Sequence, residues 1–142
     1  MQRNIDTVPS ALSIAGANLS TSYQGGPWLA LQGIEELEAV CNAAFDATTN
    51  LTSMSFRLVM SDDKTNIDPI ATIDGTIASA TIIVDHQLTA SAGNSVRARL
   101  QVTWAALQVT RLAKYVRIEV KVAGGALKSG DIATASLNYG HV

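Results

Sequence analysis

The chain has two histidines and one cysteine among its 142 residues, so metal and nucleophile chemistry has few starting points. A metal centre needs several His, Cys, Asp or Glu side chains at ligand spacing. His86 and His141 form no H-x-x-x-H pair, and Cys41 has no second thiol. His86, between Asp85 and Gln87, reads as an exposed or half-buried strand histidine. Cys41 as a nucleophile would need a neighbouring base. It lies between Ala39 and Ala43 in an alternating run, where it reads as a small core residue. The stretch SDDKTNID supplies Asp62, Asp63 and Asp68 as oxygen ligands suited to calcium, but lacks the D-x-[DN]-x-[DN]-G pattern and reads as a solvated turn. Glu35, Glu36 and Glu38 could pair as the carboxylates of a glycosidase, yet nothing in the sequence raises the pKa of one of them selectively. No G-x-S-x-G occurs, and Gly124-Gly125 precedes no helix that could seat a phosphate. Tyr23, Trp28, Trp104 and Tyr115 could stack on sugars, but aromatic residues are only 5% of the chain and Trp104 falls on an apolar strand face. No catalytic residue, cofactor site or metal ligand is expected, and the chain does not read as an enzyme.

The elements that would position such residues are strands. From Val116 to Val122 every even position is Val or Ile, and the odd positions are Arg117, Glu119 and Lys121. Side chains of a strand point alternately to opposite faces, so this run has one buried face. Ser95–Trp104 repeats the pattern with Val96, Ala98, Leu100, Val102 and Trp104 inward, and Arg97 and Arg99 outward. Met54–Met60 does so with Met54, Phe56, Leu58 and Met60 inward. Asp131–Tyr139 places Ala133, Ala135, Leu137 and Tyr139 inward, and Thr76–Thr89 reads as a strand with a bend or bulge. Ala105–Ala113 fits a helical turn or a loop. Ile34–Asp46 fits both periods: Ile34, Leu37, Cys41 and Ala44 have helical spacing, whereas Leu37, Ala39, Cys41, Ala43 and Phe45 alternate. Strand is preferred, with a long hairpin into the Met54 strand. The charged side of Arg117, Glu119 and Lys121 reads as a solvated or subunit-facing sheet surface, joined by Arg97 and Arg99 if their strand lies alongside.

Turn signals separate the runs at Gly25-Gly26-Pro27, Asp46–Asn50, Ser61–Pro69, Asp74-Gly75, Ala92–Asn94 and Gly124–Gly130. Short strands at this rhythm, without alternating helices, predict an all-β fold. The expected form is a two-sheet antiparallel sandwich of jelly-roll type with an extended N-terminal segment. One domain is expected, with residues 1–30 as an arm or first strands and 31–142 as the sandwich. The formal net charge of −2 and the 15% of charged residues give no strong attraction to nucleic acid or anionic lipid. Thr7–Ile34 carries no charge, but Pro9, Gly16, Asn18, Gln24, Gly25, Gly26 and Pro27 interrupt it, so no membrane span or signal peptide is expected. Within this uncharged segment Ile5, Val8, Leu12, Ile14, Leu19, Tyr23 and Trp28 are candidate interface residues, unless their own sheet covers them.

The run RLAKYVRIEVKVAGGALKSGDIATASLNYG, Arg111–Gly140, resembles the closing strands of phage capsid decoration, or cement, proteins and related jelly-roll head proteins. LEAVCNAAFDATTNLTSMSFRLVMSDD, Leu37–Asp63, is similar to their long hairpin with its Ser-Asp-Asp turn. The likeness covers about two-thirds of the chain and lies in strand patterns rather than catalytic residues. It implies a non-catalytic virion protein on the capsid exterior, assembled in the host cytoplasm. The major capsid protein would be its partner, with a homo-oligomer, possible as a trimer, and neither nucleic acid nor membrane bound. A tail or neck accessory protein and a carbohydrate-binding module are the alternatives.

Overall fold

A computed structural model describes residues 4–30, 34–61, 64, 70–71, 77–78, 82–101 and 115–141. The described strands are β1 (Asn4–Ala15), β2 (Gln24–Gly25), β3 (Leu29–Ala30), β4 (Ile34–Ala44), β5 (Leu51–Ser61), β6 (Ile70–Ala71), β7 (Ile77–Ala78), β8 (Ile82–Thr89), β9 (Ser95–Gln101), β10 (Tyr115–Gly124) and β11 (Ile132–His141). Among the described residues a 3-10 turn covers Gly16–Asn18. Among the described residues no helix is long and apolar enough to cross a membrane.

Two antiparallel sheets carry the fold. One has the order β1-β11-β4-β9; the other runs β2-β10-β5-β8, with β3 also pairing β10. β2 and β3 therefore act as one interrupted strand, and β6–β7 form a separate small hairpin. The pairing is that of one ribbon doubled back on itself: β1 with β11, β2 and β3 with β10, β4 with β9, β5 with β8. Wrapping that ribbon brings β11 beside β4 and β10 beside β5. This is the jelly roll expected from the sequence.

Among the described residues, β4, β5, β10 and β11 bury the face their alternation predicts, although Val59, on the outward side of β5, is buried as well. Leu37, Ala39, Cys41, Ala43 and Phe45 of the β4 run are buried, as are Met54, Phe56 and Leu58 of β5. Val116, Ile118, Val120 and Val122 of β10 and Ala133, Ala135 and Leu137 of β11 join the core, with Leu12 of β1, Leu88 of β8 and Leu100 of β9. The two inner faces differ in size. β4 and β11 offer mostly alanine, against the larger Met54, Phe56, Leu58 and Ile118 of the facing sheet. Small against large lets the layers interdigitate at close packing. Between Leu58 and Val59 the register with β8 shifts, a bulge in β8; the run Thr76–Thr89 is not one bent strand, since Ile77–Ala78 forms β7 and pairs β6 in the small hairpin, while β8 begins at Ile82.

Ile34–Ala44 is a strand, but it forms no hairpin with β5. β4 lies in one sheet and β5 in the other, joined by a crossing turn at residues 45–50. Both strands need their apolar faces covered, and facing each other across the core achieves this as well as lying side by side. β9 likewise belongs to the sheet opposite β10, so Arg97 and Arg99 do not extend the charged face of β10. The N-terminal segment is part of the sandwich: β1 pairs β11 from Asn4↔His141 to Ala15↔Ile132, with an irregularity between Val8 and Leu12. Asp62, Asp63, Asp68, Asp74-Gly75, Trp104 and Ala105–Ala113 lie outside the described residues.

Four connections cross between the sheets at one end of the molecule: residues 16–23, 45–50, 90–94 and 125–131. Backbone bonds join them, from Gly16 N–H to Asp131 O (2.8 Å), Phe45 N–H to Asn94 O (3.0 Å) and Gly125 N–H to Asn50 O (2.7 Å).

Candidate interaction face

The face of β10 turned away from the core carries Tyr115, Arg117, Glu119 and Lys121, as the two-residue period requires. Register sets their neighbours. Glu119 stands opposite Arg57 of β5, and Arg57 opposite Asp85 of β8, so one row of charges runs across three strands. Arg57 reaches Glu119 Oε1 through Nε (2.7 Å) and Nη2 (2.6 Å). Arg117, two residues back on the same face, donates to Oε2 through Nε (2.9 Å) and Nη2 (2.6 Å). Each carboxylate oxygen is thus held by one guanidinium fork. The Glu119 side chain is only 3% exposed, against 16% for Arg57 and 26% for Arg117.

Two rings from the N-terminal segment cover the guanidinium groups. Arg57 Cζ lies 3.7 Å from the centre of the Tyr23 ring, and Arg117 Cζ lies 4.3 Å from that of Trp28. Lys121 Nζ also approaches Tyr23 (4.9 Å), and Lys64 Nζ approaches Tyr115 (4.7 Å). These are distances at which a ring quadrupole attracts a cation. Burial pushes the Tyr23 phenol above its ordinary pKa; the Arg57 guanidinium opposes the shift, and Asp85 and Glu119 add to it. Gly25 makes the arrangement possible. It faces Glu119 in the ladder, and a Cβ there would come within 2.2 Å of Arg117 Nε, because Arg117 lies across β2 toward Trp28.

The charged side of β10 is therefore not simply a wet surface: Glu119 is buried under its own arginines and the chain's own N-terminal segment. Alternation showed which side it faces. The missing information was register, which alone pairs Arg57 with Glu119. The seven candidate interface residues divide into four groups. Leu12 and Leu19 are buried in the chain's own core, so they present no surface to a second subunit. Val8 and Ile14 are half-buried against that core. Tyr23 and Trp28 lie on the cation face. Ile5 pairs with Gly140 in the ladder, and its side chain is not among those described.

The opposite outer face, on β1-β11-β4-β9, is polar rather than aromatic. Thr7 donates to Asn138 Oδ1 (2.9 Å), Asn138 donates to Glu38 Oε1 (3.1 Å), and Gln101 donates to Glu38 Oε2 (3.4 Å). Arg99 is 3.5 Å from the same Glu38 oxygen. This row crosses all four strands. His86 is exposed on β8. Cys41 is fully buried, and burial pushes its thiol up to about 12. Among the described residues no group of three or more His, Cys, Asp or Glu is placed to hold a metal ion.

No protein-family model matches the chain, and no curated protein matches it. Solved structures do. T=1 particles derived from infectious bursal disease virus superpose with a TM-score of 0.56 at 10% identity, over 99% of this chain and 32% of theirs. The VP2 subviral particle of that virus gives 0.54 at 10%, over 99% and 32%. Its Gx strain gives 0.53 at 13%, over 99% and 33%. This chain thus spans about a third of the length of the viral chains it matches. At such identity the likeness is one of fold: the doubled-ribbon sandwich described above is similar to a domain-sized part of those viral proteins.

Proposed function

We propose that this chain is a structural, non-catalytic protein of a virus particle that binds and stabilises a phage capsid shell from outside. The observation that carries the reading is the fold, an eight-strand wrapped ribbon shared over 99% of the chain with proteins of viral particles. The resemblance of Arg111–Gly140 to cement proteins adds to it. The partners are the major capsid protein and further copies of this chain. Such a role requires surfaces rather than a reaction centre, and many weak contacts repeated by symmetry give avidity. Two outer faces of different chemistry suit it: one cationic and aromatic, the other a polar row.

The test is co-sedimentation of the purified chain with empty capsids of the phage that encodes it, followed by cryo-electron microscopy. Ordered density on the outer shell is expected. No binding, or density confined to the tail or neck, would overturn the capsid reading. Truncating residues 1–20 is a poor variant, because it removes β1 and takes Leu12 and Leu19 out of the core. Lys121→Glu, on the cation face, leaves the core intact. The glycan-binding alternative rests on Tyr23 and Trp28, which both have a guanidinium stacked on the ring. A glycan-array signal abolished by Trp28→Ala would revive it.

A further inference from the structure

Asp46 and Asp131, 85 residues apart in the chain, meet at the end where the four connections cross. Asp131 is fully buried, at 0% exposure. Its Oδ1 accepts the Asp46 N–H (3.0 Å) and the Thr49 hydroxyl (2.7 Å), and its Oδ2 accepts the Lys128 N–H (2.9 Å). Asp46 reciprocates. Its Oδ1 accepts the Thr48 N–H (2.9 Å) and the Thr48 hydroxyl (2.9 Å), and its Oδ2 accepts the Gly130 N–H (3.0 Å). Each carboxylate therefore holds its own turn and the other's. The backbones of the same two residues reach the remaining connections, through Gly16 N–H to Asp131 O (2.8 Å) and Gly93 N–H to Asp46 O (3.1 Å).

All of these donors are neutral amides or hydroxyls. The charged groups around the pair are few: Lys128, on the same connection as Asp131, acts on Asp46, while residues 16–18 and 90–94 carry no ionisable side chain. An ionised carboxylate is a pure acceptor and fits a cage of donors. Protonation turns one oxygen into a donor that faces other donors.

We propose that Asp46, tied to Asp131, is the trigger of an acid-released latch: with Asp46 ionised, the pair locks the sheet-crossing connections of one end together; with Asp46 protonated, that end opens while the two sheets stay paired. The Thr48 N–H, and after it the Thr48 hydroxyl, the Gly130 N–H and Lys128, hold the Asp46 carboxyl below its ordinary pKa, with burial opposing them. A depressed folded-state pKa gives stabilisation that is present above the ordinary carboxylate value and is lost as pH falls through the folded value. The latch is thus closed at neutral pH and opens in the acid range.

The test is amide hydrogen exchange by NMR on the intact chain, expressed as protection factors at about pH 7, 5 and 3. Between the two lower values the amides of Asp46, Thr48, Lys128 and Gly130 are expected to lose protection severalfold, while Val120 and Ala135 in the ladders keep theirs. In Asp46→Asn the Gly130 amide is expected to be weakly protected already at about pH 5 and to change little below it. Unchanged protection of the four amides in the wild-type chain would overturn the latch. So would simultaneous loss at Val120 and Ala135, which would be global acid unfolding.

Discussion

Glu119 is the residue on which the cation face depends. Two guanidinium groups converge on one carboxylate, so removing its charge leaves them facing each other without neutralisation. Breaking a buried ion pair from one side costs roughly 3–5 kcal/mol. Both arginines retain some solvent contact, so Glu119→Gln is expected to cost less, about 2–3 kcal/mol, read from the urea midpoint at neutral pH. Loss of the carboxylate should also loosen Arg117 from Trp28, and a change in tryptophan fluorescence would report that. An unchanged midpoint would mean that the rings and solvent alone hold the arginines. Cys41 is the opposite case, a reactive atom kept inert. Its thiol is fully buried and its pKa is pushed up to about 12, so little thiolate exists at neutral pH. The native chain is expected to resist a thiol-specific maleimide and to react once it is denatured. Rapid native labelling would show that β4 opens locally.

At the scale of elements, the short strands β2 and β3 are the least regular part of the fold and yet cover the cation face. Their contact with β1 is tight: a Cβ on Gly26 would lie 1.9 Å from the Ala11 carbonyl oxygen, and the Gly26 N–H already donates to Ile118 O (2.9 Å). Gly26→Ala cannot be accommodated without shifting β1 or breaking that bond. A loss of about 1–3 kcal/mol is expected, as for an overpacked core position, measured by thermal unfolding. A melting temperature equal to that of the wild-type chain would show that the two edges slide past each other freely.

The same elements show what the sequence could and could not convey. Alternation identified the inner residues of β4, β5, β9, β10 and β11, because a half-buried strand writes its two faces into its residue order. It could not name a strand's neighbours. Leu37–Phe45 and Met54–Leu58 both look like strands with one buried face, whether they are paired in a sheet or stacked across a core. The hairpin expectation failed there, and for the same reason alternation leaves open whether Arg97 and Arg99 lie beside Arg117. The cation face was half legible: Arg117, Glu119 and Lys121 lie on one side by period, but Arg57, Tyr23 and Trp28 join them only through register and through the fold of a turn-rich segment. The Asp46–Asp131 pair left no local signal, because its partners are 85 residues apart.

At the scale of the whole molecule, the doubled ribbon gives each strand pair a different separation along the chain. β5 and β8 are near neighbours in sequence, β4 and β9 lie farther apart, and β1 meets β11 with Thr7 bonded to Asn138 across 131 residues. Closing a longer loop costs more entropy before its contacts form, so the inner pairs have the advantage in forming first. β1 therefore lacks its ladder partner until β11 has emerged from the ribosome. Until then Leu12, later a core residue, stays uncovered on that side, and β1 presents an unmated ladder of amides and carbonyls. A domain built this way depends on β11 arriving quickly or on shelter by a chaperone. Crowding many copies together during translation would favour strand exchange between neighbours over correct closure.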